Sequence, residues 1–249
     1  QTYVCLMNIR SKIRLFVDSP LGEGQSILLA RDQANYLFNV MRLNIGDFIS
    51  VFNGKDGEWQ AEVLQANKRK GIIIVKNQSM PQLLPPDVWL LFAPIKKTRT
   101  DFIVEKATEM GVSRICPVFT DYTNSDRIKQ SRLQAHSIEA AEQCGGTYVP
   151  PVDELSTLTS VLKSWPKERH LLFCDEHKVG ENVKSMKATK SDKWAILIGP
   201  EGGFSDSEVM HLKSLEFVTS ISLGPRILRA DTAAVAALAI WQMQMGDWK

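Results

Sequence analysis

The feature that most constrains this chain is a change of rhythm at residues 80–87, MPQLLPPD, where three prolines in eight residues favour an extended connector over a helix or a central strand. Before it the apolar pattern has period two. Ile13, Leu15 and Val17 alternate with polar neighbours, and further short strands are expected over 47–52, 59–64 and 71–76, punctuated by turns at Gly54 and Asp56-Gly57. One helix interrupts them from about Asp32 to Arg42, because Ala34, Leu37, Phe38 and Met41 recur on a single face. After the connector, strands alternate with helices: strands over 88–92, 115–118, 171–174, 194–198 and 217–223, and helices over 101–110, 131–144, 205–215 and 231–245. That alternation predicts a mostly parallel α/β sheet, in which ligands bind beyond the carboxyl ends of the strands. The expected organisation is a small β-barrel with one helix over residues 1–80 and an α/β domain over 81–249.

Composition narrows the function classes only slightly. Hydrophobic residues make up 44% and charged residues 23% of the 249, which suits a packed globular protein. A net charge of +2 is too small to mark a nucleic-acid binder by itself, so any basic surface must be local. Cysteines 5, 116, 144 and 174 include no CxxC pair, and the four histidines show no ligand spacing, so neither a disulfide framework nor a metal site is expected. The opening residues lack a signal-peptide pattern and no apolar run approaches membrane-spanning length, which suggests a cytoplasmic protein with no membrane association.

Two segments could carry chemistry. In WAILIGPEGGFSDSEV an apolar strand empties into Gly199-Pro200-Glu201-Gly202-Gly203, and Ser205 with Glu208 forms an S-x-x-E capping box that starts a helix immediately afterwards. Glycines admit a ligand to the backbone and the helix start offers N–H donors; a plain tight turn has the same shape. In ISLGPRILRADTAAVAALAIWQM the arrangement repeats, with a strand ending at Leu223-Gly224-Pro225 before an alanine-rich helix. Arg226 and Arg229 lie between them, where an arginine pairs with a carboxylate or phosphate or is simply solvated. Asp231 and Thr232 are residue types that cap a helix start.

The pairing of LIGPEGGFS with LGPRILRADTA resembles the bacterial 16S rRNA uracil-N3 methyltransferases of the RsmE type, within the knotted SPOUT methyltransferase class. The resemblance runs along nearly the whole chain: RLF near the start, ANYLFNVMR in the first helix, Gly46-Asp47, KATEMGVSRICPV from 106, EAAEQCG from 139, and both C-terminal loops. It implies a PUA-like RNA-binding barrel, an α/β domain with a C-terminal trefoil knot, S-adenosylmethionine as cofactor, a homodimer, and 16S rRNA of the small ribosomal subunit as partner. Carried over by position, the cofactor site comprises Gly199, Pro200, Glu201, Gly202 and Gly203, then Leu223, Gly224, Ile227, Leu228, Arg229 and Thr232, with Leu172 to Asp175 ending a third strand that lines the pocket and Leu172 and Phe173 counted among the cofactor contacts. Asn35, Gly146 and Asp231 stand where the family usually has histidine, arginine and glutamate.

Uridine N3 carries a proton at neutral pH, so its methylation needs a base or a cation that stabilises the developing imide anion. Arg229 is the candidate stabiliser, and Glu201 or Asp231 the candidate proton acceptor. RNA contact is expected from Arg10, Lys12, Arg14, Arg31 and Arg42; Lys68, Arg69 and Lys70 form a further basic cluster that reads first as a solvated turn, with RNA contact the alternative. Two other functions share these features: a knotted methyltransferase acting on tRNA or on a ribose 2′-hydroxyl, and a non-catalytic RNA-binding assembly factor.

Overall fold

The computed structural model describes residues 11, 13–125, 128–175 and 192–248. Arg10, Lys12 and His177 lie outside them. The chain divides into two compact units, one comprising residues up to Leu84 together with Ala141–Val149, the other comprising Pro85–Ala140 and Pro150 onward. The return of 141–149 to the first unit has no signature in the proline-rich connector.

In the first unit β1 (Arg14–Phe16), β2 (Ser26–Leu28), β3 (Phe48–Phe52), β4 (Glu58–Gln65) and β5 (Ile72–Met80) form a mixed five-stranded sheet in the order β1-β3-β4-β5-β2. Only β1 and β3 run parallel. The expected alternation holds: Leu15, Val17, Ile49, Val51, Ala61, Val63, Ile73 and Val75 all point into one core. Register shifts in the β4–β5 pair bend these two long strands, as bulges do, and curl the sheet towards a half-barrel. Gly57 sits between β3 and β4 at φ +79°, where a Cβ would fall 2.3 Å from the Met80 carbonyl oxygen, so only glycine fits.

The helix of this unit is shorter than its sequence pattern predicts. It runs as α1 (Arg31–Asn35) and then widens into a π turn over Tyr36–Val40. Ala34 and Leu37 are fully buried as expected, but the widened turn rotates Met41 out of the buried face and leaves it exposed. Arg42 follows at φ 58°, the left-handed position that usually ends a helix with glycine, and Leu43 N–H closes the end by donating to Leu37 O at 3.0 Å.

The second unit contains β6 (Val88–Phe92), α2 (Lys97–Glu109), β7 (Arg114–Phe119), α3 (Gln130–Cys144, whose last turn groups with the first unit), β8 (Ser156–Thr157), α4 (Leu158–Lys163), β9 (His170–Cys174), β10 (Trp194–Ile198), α5 (Asp206–Ser214), β11 (Val218–Ile221) and α6 (Ala230–Gln244). Its sheet is entirely parallel, in the order β11-β9-β10-β6-β7-β8. Central strand β10 is buried on both faces, which is why its sequence reads as an unbroken apolar run. Trp194, Ile196 and Ile198 pack with α2 and α6 through Ile103, Val104, Ala234, Leu238 and Trp241. Ala195 and Leu197 pack on the opposite face with Leu158 and Leu162 of α4 and Val209 and Leu212 of α5. Each fully buried leucine, isoleucine or valine contributes about 1.5–3 kcal/mol to holding these layers together. The chain connecting β9 to β10, on which a knotted path depends, lies largely in residues 176–191, outside the described residues.

Candidate active site

Because β9, β10 and β11 are parallel neighbours, their carboxyl ends open on one edge of the sheet. The loops leaving them enclose a cavity of roughly 840 Å³, its open mouth included. Cys174 and Asp175 contribute the wall from β9, Ile198 to Glu201 with Gly203 and Phe204 the wall from β10, and Ser222 to Gly224 with Arg226 to Ala230 and Ala233 the remainder.

The first loop is shaped by its glycines. A Cβ on Gly199 would fall 2.5 Å from the Phe204 ring, so glycine there lets that ring fold beneath the loop. Phe204 meets Phe173 edge-on, with ring centroids 5.0 Å apart. Gly203 takes φ +70° and donates its N–H to Pro200 O at 3.0 Å, closing the turn. The helix that follows starts as its sequence demands. Ser205 Oγ accepts from Glu208 N–H at 3.3 Å, and Ser205 N–H donates to Glu208 Oε2 at 3.0 Å.

In the second loop Gly224 takes φ +115°, and no atom lies within 4 Å of where its Cβ would stand, so its backbone faces open space. Ser222 Oγ accepts its N–H at 3.2 Å. Ile227 lines the cavity yet is 75% exposed, an apolar side chain waiting for a partner. Burial pushes the Cys174 thiol up to about 12. Lys213 Nζ reaches the buried Asp175 carboxylate at 2.8 Å.

At the rim, Arg99 of α2 links the first loop to the first turn of α6. Its Nη1 stands 3.1 Å from Glu201 Oε1, and its Nε 3.8 Å from Asp231 Oδ2. The sequence offered little sign of this, since KKTRTD reads as a solvated, charge-dense helix start. Arg229 also lines the cavity, is exposed, and has no ion pair among the described residues.

The structure therefore gathers Gly199, Pro200, Glu201, Gly203, Leu223, Gly224, Ile227, Leu228 and Arg229 around one cavity. Others among the expected residues stand elsewhere. Of the third strand end expected over Leu172 to Asp175, Cys174 and Asp175 form the wall, whereas Leu172 and Phe173 are buried on opposite faces of β9, Phe173 supporting the first loop through Phe204. Gly202 and Thr232 do not line the cavity. Nor do Asp231 and Thr232 occupy the cap of α6: Arg229 holds that position without a side-chain cap bond, and Asp231 Oδ1 accepts the Thr232 N–H at 2.9 Å.

The expected RNA contacts divide similarly. Arg14 is not at the surface. Its Nε donates to Glu58 Oε2 at 2.7 Å, its Nη1 to the carbonyls of Ala141 and Glu142 at 2.6 and 2.8 Å, and its Nη2 to Gly146 O at 2.8 Å, so its donors are spent inside the first unit. Arg31 is exposed and shares an open groove with Asp32, Asn35, Lys68 and Arg69. Arg42 is exposed as well. Among the described residues no cluster of His, Cys, Asp and Glu could hold a metal ion, and no helix is long and apolar enough to cross a membrane.

Comparison with known proteins agrees with this architecture unit by unit. Residues 82–242 match the family described as RNA methyltransferase domain, and residues 29–76 the family described as RNA methyltransferase PUA domain. Ribosomal RNA small subunit methyltransferase E of Rickettsia conorii is 32% identical over 229 residues, covering 91% of this chain and 93% of that protein. Among solved structures, the enzyme of the same name from Neisseria gonorrhoeae, bound to S-adenosyl methionine, superposes with a TM-score of 0.83 at 26% identity, covering 95% of this chain and 99% of the other. A putative methyltransferase from Legionella pneumophila in complex with the same cofactor gives 0.84 at 26% identity, with the same coverage. With a half-barrel and an all-parallel α/β unit in the same order, and a relative matched over nearly its full length, the chain belongs to the ribosomal RNA small subunit methyltransferase E family.

Proposed function

We propose that this chain transfers a methyl group from S-adenosylmethionine to N3 of a uridine in 16S rRNA of the small ribosomal subunit. The observation that carries the reading is the cavity at the carboxyl ends of β9, β10 and β11, closed by two glycine loops with a carboxylate–guanidinium–carboxylate bridge beside it. Its chemistry suits the donor. Backbone groups at Gly199, Leu223 and Gly224 offer hydrogen bonds, while Leu228, Ile227 and Ala233 offer apolar walls for an adenine ring. When bound, the cofactor supplies an electrophilic methyl on a sulfonium.

The remaining steps fall to side chains. Glu201 or Asp231 takes the N3 proton as the nucleophile forms, and Arg99 holds the two carboxylates in place. Arg229, exposed at the cavity wall, stabilises the negative charge that spreads onto the uracil carbonyl oxygens. Arg31, Lys68, Arg69 and Arg42 contact phosphates and orient the RNA. A homodimer belongs to the same reading and is supported by apolar side chains left exposed on the packed pair α2 and α6, Phe102 and Met243. So do the trefoil path of the C-terminal strands and a cytoplasmic location, where the ribosome is the substrate.

Mass spectrometry of 16S rRNA nucleosides from a gene-deletion strain tests the activity. Loss of 3-methyluridine, restored by complementation, is the expected result; an unchanged nucleoside profile overturns it. Calorimetry with S-adenosylmethionine separates an enzyme from a binding module, which would show no affinity for the cofactor.

A further inference from the structure

The loop following β7 is held with unusual care for a surface segment. Thr120 N–H donates to Thr123 Oγ1 at 2.9 Å, the two threonine hydroxyls meet at 2.8 Å, and Thr123 N–H returns to Thr120 O at 3.0 Å. Both threonines are buried. From outside, Asp121 N–H donates to Glu208 Oε1 at 3.0 Å and Ser205 Oγ donates to Asp121 Oδ2, so the turn is fastened to the same residues that cap α5 at the exit of the first loop. Tyr122, in the middle of this turn, is 49% exposed.

Its position is specific. Tyr122 Cβ lies 3.4 Å from where a Cβ on Gly202 would stand, so the tyrosine rests against Gly202. Gly202 does not line the cavity, but its neighbours Glu201 and Gly203 do. A side chain at 202 would make only ordinary contact with Tyr122, so the tyrosine packs beside the loop that forms the cavity wall without depending on glycine there. A half-exposed aromatic ring forfeits part of its burial energy, and the hydrogen bonds of the turn fix the backbone that carries it. What such a ring offers is a flat, pre-positioned surface at little entropic cost to a planar ligand.

We propose that Tyr122 is the stacking platform for the target base. A base that leaves an RNA helix or loop to reach a recessed methyl donor loses its stacked neighbours, and an aromatic side chain beside the donor site replaces them. This rests on the proposed methyl transfer to RNA and adds the residue that receives the base. Tyr122 acts by positioning and takes no part in proton transfer.

The test compares Tyr122→Ala and Tyr122→Phe with the unaltered protein on small ribosomal subunits from a deletion strain. It reads KM and kcat, equilibrium affinity for the subunits, calorimetric affinity for S-adenosylmethionine, and melting temperature. Loss of stacking in Tyr122→Ala raises KM and weakens subunit affinity by roughly five- to 150-fold. Tyr122→Phe, which keeps the ring, stays near the unaltered protein, and cofactor affinity and melting temperature hold in both. The idea is overturned if Tyr122→Ala keeps its subunit affinity, if Tyr122→Phe is as impaired as the alanine variant, or if cofactor affinity drops in parallel. Absence of turnover by the unaltered protein would refute the proposed activity instead, and the equilibrium affinities would still decide the role of Tyr122.

Discussion

Arg99 Nη1 stands 3.1 Å from Glu201 Oε1 while its Nε faces Asp231, so one guanidinium from α2 ties a carboxylate of the first loop to one in the first turn of α6, thirty positions further along. The groups are partly exposed, and the pairing contributes less than about 1 kcal/mol to stability. Its value is geometric. Arg99→Ala is expected to leave the melting temperature almost unchanged and to lower kcat about tenfold, with Arg99→Lys intermediate because an ammonium cannot form the planar fork. Of Glu201→Gln and Asp231→Asn, the variant that removes the proton acceptor loses roughly 10²–10⁴ in kcat, and the other loses far less. Single-turnover kinetics at saturating cofactor distinguish the two.

Arg14 and Glu58 make the opposite case, an ion pair whose worth is structural. Glu58 is completely buried and also accepts from Ser79 Oγ at 3.3 Å. Arg14→Ala would take the guanidinium from that buried carboxylate and from the carbonyls of Ala141, Glu142 and Gly146, and is expected to cost about 3–5 kcal/mol in denaturant unfolding. Because the pair is shielded, added salt should not reproduce the loss. A loss below about 1 kcal/mol would return Arg14 to the surface role its sequence suggests.

Arg42 occupies a left-handed position where glycine would be unstrained. Arg42→Gly should therefore raise stability, by about 0.5–1 kcal/mol, while weakening RNA binding. If the arginine contacts a phosphate, the slope of log affinity against log salt falls by about 0.7–0.9 in the same variant. A stabilised variant with unaltered RNA affinity would show that the strain serves something else.

Two thiols set an alkaline limit, Cys116 in the core and the partly buried Cys174 at the cavity wall. Burial raises Cys174 to about 12 from an ordinary value of 9.0, and it raises Cys116 further still, aided by the charge of Asp153. Both remain protonated in the folded chain while the unfolded chain ionises them. Their stabilising contribution is complete below pH 9 and declines as pH rises from there towards 12, at about 1.4 kcal/mol per pH unit for each thiol. Chemical denaturation at pH 8 and pH 10 measures the decline. At pH 8 a maleimide should label exposed Cys144 well before Cys116 or Cys174.

Much of this was legible in the sequence where one physical signal dominated. The apolar run of β10 and the S-x-x-E box of α5 have strong local causes, and both loops of the cavity followed from them. Short elements such as β2, β8 and α4 had too few residues to show a period. The widening of the helix over Tyr36–Val40 preserves an apolar pattern that looks like an ordinary helix, so Met41 was misplaced. Arg14 was misread because a basic residue in a strand looks solvated until its partner, Glu58, is found 44 positions away. Arg99 and Tyr122 escaped for the same reason, since each derives its meaning from a glycine loop about a hundred or eighty residues further along.

The arrangement of the sheet also orders events during synthesis. Everything in the barrel unit, including the 141–149 segment that Arg14 clasps, has been made before β9 appears, whereas the cavity needs β9, β10, β11 and the start of α6. A chain emerging from the ribosome thus completes its barrel unit first and gains the cavity only near the end. Fragments cut short after Val149 would contain the whole barrel unit and none of the three strands that build the cavity.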